Sequence, residues 1–249
     1  MIPSPIHKAL LTFQNCSARF LLMGGQACIL YGAAEFSRDV DLAIASDGEN
    51  LERLKKALAE LHAESVFVPS LDAEVLKRGH SCHFRCHTPE TEGLRLDIMA
   101  RMRGCDDFDA LWERRTTIQI PGIGDLGVLS LPDLVKAKKT QREKDWPMIR
   151  RLIEADILQA QDKATEKQIR FWLQECRTVS ELVRLAQEWP DLCRRTSGQR
   201  KLLAHALAGD AAALENSLRE EESSEKDVDR RYWTPLRLEL EKWRHERKS

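Results

Sequence analysis

The sequence predicts an α+β protein, in which a mixed sheet with flanking helices is followed by an α-helical C-terminal region. Two observations predict this class. Short apolar strand patterns alternate with helical patterns through the first half of the 249-residue chain. From about Trp146 onward the patterns are helical and rich in Leu, Ala, Glu, Arg and Lys. We therefore expect two domains, residues 1–155 and residues 156–249.

The first half contains short strands separated by helices. The apolar run Phe20–Met23 leads into Gly24 and Gly25, and residues 26–35 then have helical spacing. Further strands are predicted at 39–45, 65–68, 80–87, 94–100, 117–120 and 127–129. Further helices are predicted at 50–62, 72–78, 107–115 and 131–141. The breakers Pro89 and Gly93 predict a hairpin between the strands at 80–87 and 94–100.

The second half is predicted to be helical throughout. Helices are expected at 147–155, 165–176, 179–189, 199–208, 211–222 and 234–247. The stretch 219–231 is densely charged, which is compatible with a solvated helix and equally with a mobile linker.

Composition and charge exclude several classes of protein. A hydrophobic content of 42% and a charged content of 32% are typical of a soluble globular protein. The net charge of −1 creates no general attraction to nucleic acid or membrane, and no apolar run is long enough to span a bilayer. The N-terminus has no signal-peptide pattern, and the seven cysteines are scattered. We expect a cytoplasmic protein with reduced thiols and no membrane partner.

The most informative motif is Asp39-Val40-Asp41, on the second predicted strand. Alternate residues of a strand share a face, so the two carboxylates point the same way. Adjacent carboxylates repel each other unless a cation or a shared proton lies between them. Hard oxygen ligands suit Mg²⁺ or Mn²⁺, and these ions are commonly shared with a substrate phosphate. The motif therefore predicts a divalent-metal site.

A third carboxylate and a place for phosphate are predicted nearby. On the strand at 94–100, Asp97 faces away from the apolar positions, and a neighbouring antiparallel strand can set it beside Asp39 and Asp41. The glycine pair at a strand-to-helix turn can present bare backbone N–H groups to phosphate. Phosphoryl transfer with two metal ions needs such carboxylates, together with donors and cations for a triphosphate.

These features together resemble the polymerase-β-like nucleotidyltransferase superfamily. The glycine turn, the Asp-Val-Asp strand and the later strand with Asp97 are similar to those of its small bacterial members, a group that includes nucleotidyltransferase toxins and stand-alone proteins. Where many members have a serine after the first glycine, this chain has Gly25. The stretch 133–145 resembles the Lys…Arg-x-Lys-Asp element of the same proteins, so the resemblance extends from about residue 15 to residue 155.

The resemblance implies a nucleotidyltransferase fold for residues 1–155 and a metal-dependent enzyme. It implies that Asp39 and Asp41 bind two Mg²⁺ or Mn²⁺ ions, and that Asp97 completes the second metal site and helps to deprotonate the incoming hydroxyl. The nucleotide-binding residues that it implies are Gly24, Gly25, Arg38, Lys138, Lys139 and Arg142. The substrate is an NTP such as ATP, whose α-phosphate is attacked by a hydroxyl of a protein, RNA or small-molecule acceptor, with release of pyrophosphate. The spacing does not select among Lys136, Lys138 and Lys139 for the phosphate contact.

Several motifs also have simpler interpretations. The glycine pair is compatible with a helix-entry turn without a ligand. The lysines and Arg142 are compatible with a solvated helical face, and Asp145 with an N-cap of the next helix. Strand alternation at 80–87 separates the cysteines from His83 and His87, which argues against a tetrahedral zinc site.

Three functions follow from these patterns. The first is NMP transfer from an NTP to a hydroxyl. The second, implied by the resemblance alone, is a toxin-like effector that modifies tRNA or a partner protein and is neutralised by an antitoxin-like partner. The third is a non-catalytic nucleotide-binding module of the same fold. Turnover of an NTP that depends on the aspartates separates the first two from the third.

Overall fold

The computed structural model describes residues 4–34, 36–160 and 163–246, and it confirms the α+β class. Within these residues the strands are β1 (Phe20–Met23), β2 (Asp39–Ile44), β3 (Glu64–Ser65), β4 (Ser81–Arg85), β5 (Arg95–Met99), β6 (Thr116–Ile120) and β7 (Gly124–Val128). The helices up to the middle of the chain are α1 (Ser4–Asn15), α2 (Gly24–Leu30), α3 (Gly48–Glu60), α4 (Ala73–Lys77), α5 (Phe108–Glu113) and α6 (Leu131–Lys138). The later helices are α7 (Asp145–Ala160), α8 (Glu166–Glu175), α9 (Val179–Glu188), α10 (Pro190–Ser197), α11 (Leu203–Ala208) and α12 (Ala211–Glu246).

The seven strands form one mixed sheet in the order β3-β4-β5-β2-β1-β7-β6. The predicted hairpin is confirmed, because β4 and β5 pair antiparallel. One expectation was wrong: the strand that carries Asp97 runs parallel to β2, not antiparallel. After β2 the chain passes through α3 and then runs along β4, which is antiparallel to β5. The turn after β4 reverses the chain, so β5 runs in the same direction as β2.

Residue contacts divide the described chain into two compact units. The first unit comprises the described residues of Met1–Leu30, Ala34–Ala137 and Tyr232–Ser249, and the second comprises Tyr31–Ala33 and Lys138–Arg231. This division falls at residue 138, and the end of α12 belongs to the first unit. This division by contacts does not test the domain boundary predicted at residue 155, which stays a prediction.

The core of the first unit lies around the central strands. All four residues of β1 are buried, as are Leu42, Ala43 and Ile44 of β2. The buried Asn50 of α3 connects this sheet to the helix, because its Nδ2 donates to the carbonyls of Arg19 and Ala45, at 3.0 and 2.8 Å. A buried amide with satisfied donors fixes one orientation of α3 over the ends of β1 and β2.

The core of the second unit is built on helices and two fully buried tryptophans. Trp146 and Trp172 are 2% and 1% exposed. Their ring N–H groups donate to Thr140 O at 2.9 Å and to Asp156 Oδ2 at 2.6 Å. Buried tryptophans with satisfied N–H groups stabilise a core through their large apolar area.

Helix boundaries differ from the prediction at both ends of the chain. Helix α1 was not predicted, although Ile6, Leu10 and Phe13 form its buried stripe. The charged stretch 219–231 belongs to α12, where Glu215–Arg219 and Glu222–Lys226 ion pairs at i,i+4 spacing support the helix. The ends of the predicted helices 26–35 and 234–247 include residues outside the described ranges. Among the described residues, no helix combines the length and apolar character that crossing a bilayer requires.

Candidate functional site

The three predicted carboxylates lie on one face of the sheet. In the parallel pair of β2 and β5, Asp41 lies beside Asp97 and Asp39 lies beside Arg95. Burial alternates over the first four residues of β2, so Val40 is buried while both aspartates are half-buried. We call Asp39, Asp41 and Asp97 the carboxylate face. The sequence motif and the distant Asp97 therefore meet in space.

Asp97 is held by two basic side chains. In the register of β4 and β5, His83 lies beside Asp97. Its Nδ1 lies 2.7 Å from Asp97 Oδ1, and Arg95 Nη2 lies 3.5 Å from Asp97 Oδ2. Whenever Asp97 is ionised it only accepts hydrogen bonds, and His83 then donates from Nδ1. The side chains of His83 and Asp97 are 30% and 18% exposed, so this oriented carboxylate is within reach of a ligand.

The glycine turn lies directly against the carboxylate face. Gly24 has φ +64°, and a Cβ at this position would overlap the carboxylate of Asp41. The backbone N–H of Gly25 donates to Asp41 Oδ2 at 3.4 Å. A Cβ on Gly25 would overlap Ser37 Oγ. Gly24 is therefore required by close packing against Asp41, and Gly25 packs closely against Ser37; these contacts supply a structural reason for the pair besides the predicted phosphate seat.

The loop that enters β2 is anchored to α2. The buried Gln26 donates from Nε2 to Ser37 O at 2.9 Å, which fixes the chain just before Asp39. Arg38, a predicted nucleotide-binding residue, is exposed, and its guanidinium lies 5.5 Å from the ring centroid of Phe36. The Phe36 ring is itself 64% exposed. Arg38 and Phe36 thus form a solvent-facing pair at the entrance to β2.

The donor chemistry of the carboxylate face suits a hard divalent cation, since all three groups offer oxygen. Within residues 4–34, 36–160 and 163–246, no group of three or more His, Cys, Asp and Glu side chains is arranged to hold a metal ion. Asp97 faces His83 and Asp41 accepts from Gly25 N–H. The ligand type and the shared face therefore fit a metal, although the three carboxylates are not arranged around a single point in the described structure.

The predicted triphosphate-binding cations are held by acids of the second unit. Lys138 Nζ and Arg142 Nε lie 3.1 and 2.7 Å from the carboxylate of Asp145, and Lys139 lies 2.7 Å from Glu175. Burial on its own raises the pKa of Asp145, but Lys138, its neighbour Thr140 and Arg142 together bring that pKa below its usual value. These ion pairs account structurally for the basic residues, and their contact with a nucleotide stays a prediction.

The strand pattern of residues 80–87 predicts the face on which His83 lies, but not its partner. The alternation of β4, with Cys82 and Phe84 buried, leaves Ser81, His83 and Arg85 on the other face. That alternation is visible in the sequence. The pairing of His83 with Asp97 depends on strand register, which a single sequence does not specify.

Comparison with solved structures finds distant likenesses, of which one is described here by its alignment. A crystal structure of a "putative nucleotidyltransferase" from H. pylori aligns with 90% of this chain and 97% of its own, at 13% sequence identity and a TM-score of 0.41. No protein-family model matches the sequence. No curated protein matches it at a significant level. At this distance the likeness carries no argument about activity, and the case for a function rests on the carboxylate face itself.

Proposed function

We propose that this protein is a metal-dependent nucleotidyltransferase, which transfers an NMP group from an NTP to a hydroxyl of a protein, RNA or small molecule. One observation carries the proposal: the parallel register of β2 and β5 sets Asp97 beside Asp41, with Asp39 on the same face. Transfer at an α-phosphate concentrates negative charge, so the site must offer both cation ligands and a proton acceptor. The carboxylate face offers both.

The three carboxylates divide these tasks. Asp39 and Asp41 would hold Mg²⁺ or Mn²⁺, which when bound neutralises charge on the α-phosphate and on the departing pyrophosphate. Asp97, which the family resemblance also implies as a third ligand, accepts the proton of the acceptor hydroxyl. The hydroxyl oxygen bonds to the α-phosphorus while the bond to the bridging oxygen breaks, and that electron pair leaves with pyrophosphate. His83 keeps Asp97 oriented through its 2.7 Å hydrogen bond.

The glycine turn contributes a backbone donor beside Asp41. The space where a Cβ of Gly24 or Gly25 would lie is filled by Asp41 and by Ser37, so the turn packs closely against the carboxylate face. The Gly25 N–H and Asp41 Oδ2 lie 3.4 Å apart, a long hydrogen bond that leaves this donor weakly engaged. The proposed seat for the β- and γ-phosphates is therefore the backbone at this turn.

The test of activity is transfer of label from each α-³²P-labelled NTP. Purified protein is incubated with Mg²⁺ and with fractions containing protein, RNA or small molecules, and pyrophosphate release and acceptor labelling are measured together. The wild type is expected to label one class of acceptor, and Asp41→Asn to lose the labelling by more than about 100-fold. The matched control is Asp191→Asn, whose side chain is 89% exposed on α10. Equal labelling by wild type and Asp41→Asn would overturn the proposal.

The test of metal binding does not depend on finding an acceptor. A ligand that binds only the folded state raises the melting temperature with concentration. We expect Mn²⁺ with a non-hydrolysable NTP to stabilise the wild type and Asp191→Asn, and to have little effect on Asp39→Asn or Asp41→Asn. The same stabilisation in all four proteins would show that the cation binds elsewhere.

A further inference from the structure

Two arginines lie opposite each other beside the carboxylate face. In the ladder of β4 and β5, Arg85 pairs with Arg95, and Arg95 lies in turn beside Asp39 of β2. Alternate residues of a strand share a face, so Arg85 is on the face of His83 and Arg95 is on the face of Asp97. We call Arg85 and Arg95 the arginine pair. Like charges directly opposite each other on neighbouring strands destabilise a sheet, and a bound anion removes that cost.

The neighbouring acids offset this positive charge only in part. Arg95 Nη2 lies 3.5 Å from Asp97 Oδ2, and the Arg95 side chain is 41% exposed. Arg85 is exposed and makes no ion pair with any residue that the structure describes. Glu64 lies opposite Arg85 on β3, but its Oε2 is paired with His87 Nε2, at 4.0 Å. The Arg85 guanidinium therefore has its forked N–H donors available to a phosphate.

An exposed aromatic ring lies close to the arginine pair. Phe67 is 50% exposed, and its ring meets that of His83 edge to face, with the centroids 6.3 Å apart. His83 is two positions from Arg85 on the same face of β4. The guanidinium of Arg244, on the part of α12 that belongs to the first unit, lies 6.0 Å from the Phe67 centroid. An exposed ring with cations around it is the combination on which nucleobases stack while phosphates are held nearby.

The strand order places the arginine pair and the glycine turn on opposite sides of β2. In the order β4-β5-β2-β1, the pair lies on β4 and β5, and the glycine turn follows β1. In phosphoryl transfer the attacking and leaving oxygens lie roughly in line through the phosphorus. With pyrophosphate leaving over the glycine turn, the acceptor hydroxyl approaches from the side of β5, where Asp97 lies. The arginine pair and Phe67 are therefore on the acceptor side of the site.

We propose that the acceptor is a nucleotide unit, whose phosphate binds Arg85 and Arg95 and whose base stacks on Phe67. Its ribose hydroxyl oxygen bonds to the α-phosphorus of the NTP, the proton passes to Asp97, and pyrophosphate leaves with the electron pair of the broken bond. This inference names the acceptor class of the proposed transferase and rests on that function. Binding of the nucleotide unit, however, requires neither metal nor turnover, so it can be measured separately.

The test measures binding without catalysis. A fluorescein-labelled single-stranded RNA hexamer is titrated with the full chain in EDTA, and its anisotropy is followed from about 50 to about 200 mM NaCl. We expect Arg85→Ala to weaken binding about tenfold, the loss of one charged hydrogen bond. The slope of log K against log salt should also fall by about 0.7, the value for one phosphate contact of a single strand.

Phe67 variants test the stacking separately from the charge. Phe67→Leu keeps an apolar side chain without a ring, and it should weaken binding about fivefold or more while the salt slope stays unchanged. Phe67→Tyr keeps the ring and should bind as the wild type does. The matched control for Arg85→Ala is Arg101→Ala, whose side chain is 58% exposed beyond the other end of β5. Its affinity and salt slope should equal those of the wild type.

Competition experiments identify the source of the nucleotide unit. Displacement of the hexamer by AMP at comparable concentrations assigns a free nucleotide, whereas an AMP affinity at least tenfold weaker assigns a polynucleotide strand. An acidic peptide that competes as well as RNA would overturn the proposal in favour of a protein acceptor. An unchanged salt slope in Arg85→Ala, or equal losses of affinity in Arg85→Ala and Arg101→Ala, would overturn it as well.

Failure of this inference is distinguishable from failure of the proposed function. Binding of the hexamer must persist in Asp41→Asn, because that variant removes a metal ligand and leaves the arginine pair intact. Binding that depends on Arg85 without any NTP transfer would remove the proposed function and leave the nucleotide site. Transfer that is unaffected by Arg85→Ala at limiting acceptor, or a rise in KM for NTP instead of for the acceptor, would remove this inference alone.

Discussion

At the scale of single residues, the position of Asp41 depends on Gly24. The backbone of Gly24 adopts φ +64°, and the space where its Cβ would lie is filled by the Asp41 carboxylate. Two separate requirements therefore exclude a side chain here, one conformational and one steric. Because the carboxylate is part of the proposed metal site, a change at Gly24 affects both folding and function.

This dependence is tested by comparing Gly24→Ala with Gly104→Ala, because both glycines have a positive φ. Gly104 has φ +74°, and a Cβ there would meet nothing within 4 Å. Gly104→Ala should lower the free energy of unfolding by about 1–2 kcal/mol, the cost of a left-handed alanine. Gly24→Ala should lose more stability and also abolish transfer, because Asp41 must move. Urea unfolding and the labelling assay measure the two effects; equal behaviour of the two variants would contradict the steric explanation.

His83 is proposed to position Asp97, and its variants should affect turnover rather than affinity. His83→Ala removes the hydrogen bond to Asp97 Oδ1, and we expect kcat to fall about 10- to 100-fold with KM for NTP nearly unchanged. His83→Asn keeps a donor near the place of Nδ1 and should recover part of the loss. His87→Ala, at a half-exposed histidine beyond the end of β4, is the control. A fall in kcat that Asn does not reverse would indicate packing damage only.

At the scale of elements, a buried ion pair fixes the start of α6. Asp133 is 1% exposed and accepts from Arg114 Nε at 2.7 Å and from Ser130 Oγ at 2.6 Å. Burial on its own raises the pKa of Asp133, but Arg114 and Ser130 bring it below its usual value. The carboxylate therefore stabilises the fold in its ionised form, and it connects α6 to the chain between α5 and β6.

Removing Arg114 should make this contribution visible as a pH dependence. A depressed carboxyl pKa gives stability that is present above the unfolded pKa, about 4, and is lost as the pH falls through the lower folded value. We expect Arg114→Ala to destabilise the protein by about 2–3 kcal/mol at pH 7 and by less at pH 3. The value at pH 7 lies at the low end for a buried ion pair because the Arg114 side chain is 39% exposed to solvent. Lys55→Ala, which breaks an exposed pair with Glu52, should cost less than about 1 kcal/mol. A difference in unfolding free energy between wild type and Arg114→Ala that stayed constant with pH would contradict the role of Asp133.

The elements also show where sequence patterns were sufficient. Strand β1 was predicted at its observed bounds because four apolar residues end at a glycine turn. The charged part of α12 has no apolar stripe, so hydrophobic periodicity could not distinguish a helix from a linker. In the structure this part is helical, and ion pairs at i,i+4 spacing support it. Helix α10 was not predicted, although its Pro190 lies in the first turn, where a proline is compatible with a helix.

At the scale of the whole molecule, burial determines the chemistry of the thiols. None of the seven cysteines forms a disulfide, and six of them are buried. Burial raises the pKa of Cys82 to about 12, and those of Cys86, Cys105 and Cys176 to about 11. The thiolate is the reactive form, so at pH 8 each of these groups is ionised at about one part in a thousand or less.

The thiols should therefore be inert until the chain unfolds. After reduction, titration with Ellman's reagent at pH 8 should give fast reaction of at most one thiol in the native protein. In urea all seven should react. Rapid reaction of two or more thiols without denaturant would show that the buried cores open readily. In a parallel sample that is not reduced first, a thiol count below seven in urea would indicate disulfides, against the reduced state expected from the sequence.

The sequence alone determined the fold class, most of the strands and which residues have the chemistry of a phosphoryl-transfer site, because local periodicity and residue type are properties of short segments. Tertiary structure decided which of them meet. The parallel register of β2 and β5 brought Asp97 to Asp41, the register of β4 added His83, and the folded turn made Gly24 indispensable. Strand order and register depend on contacts between segments far apart in the chain, and no local pattern encodes them.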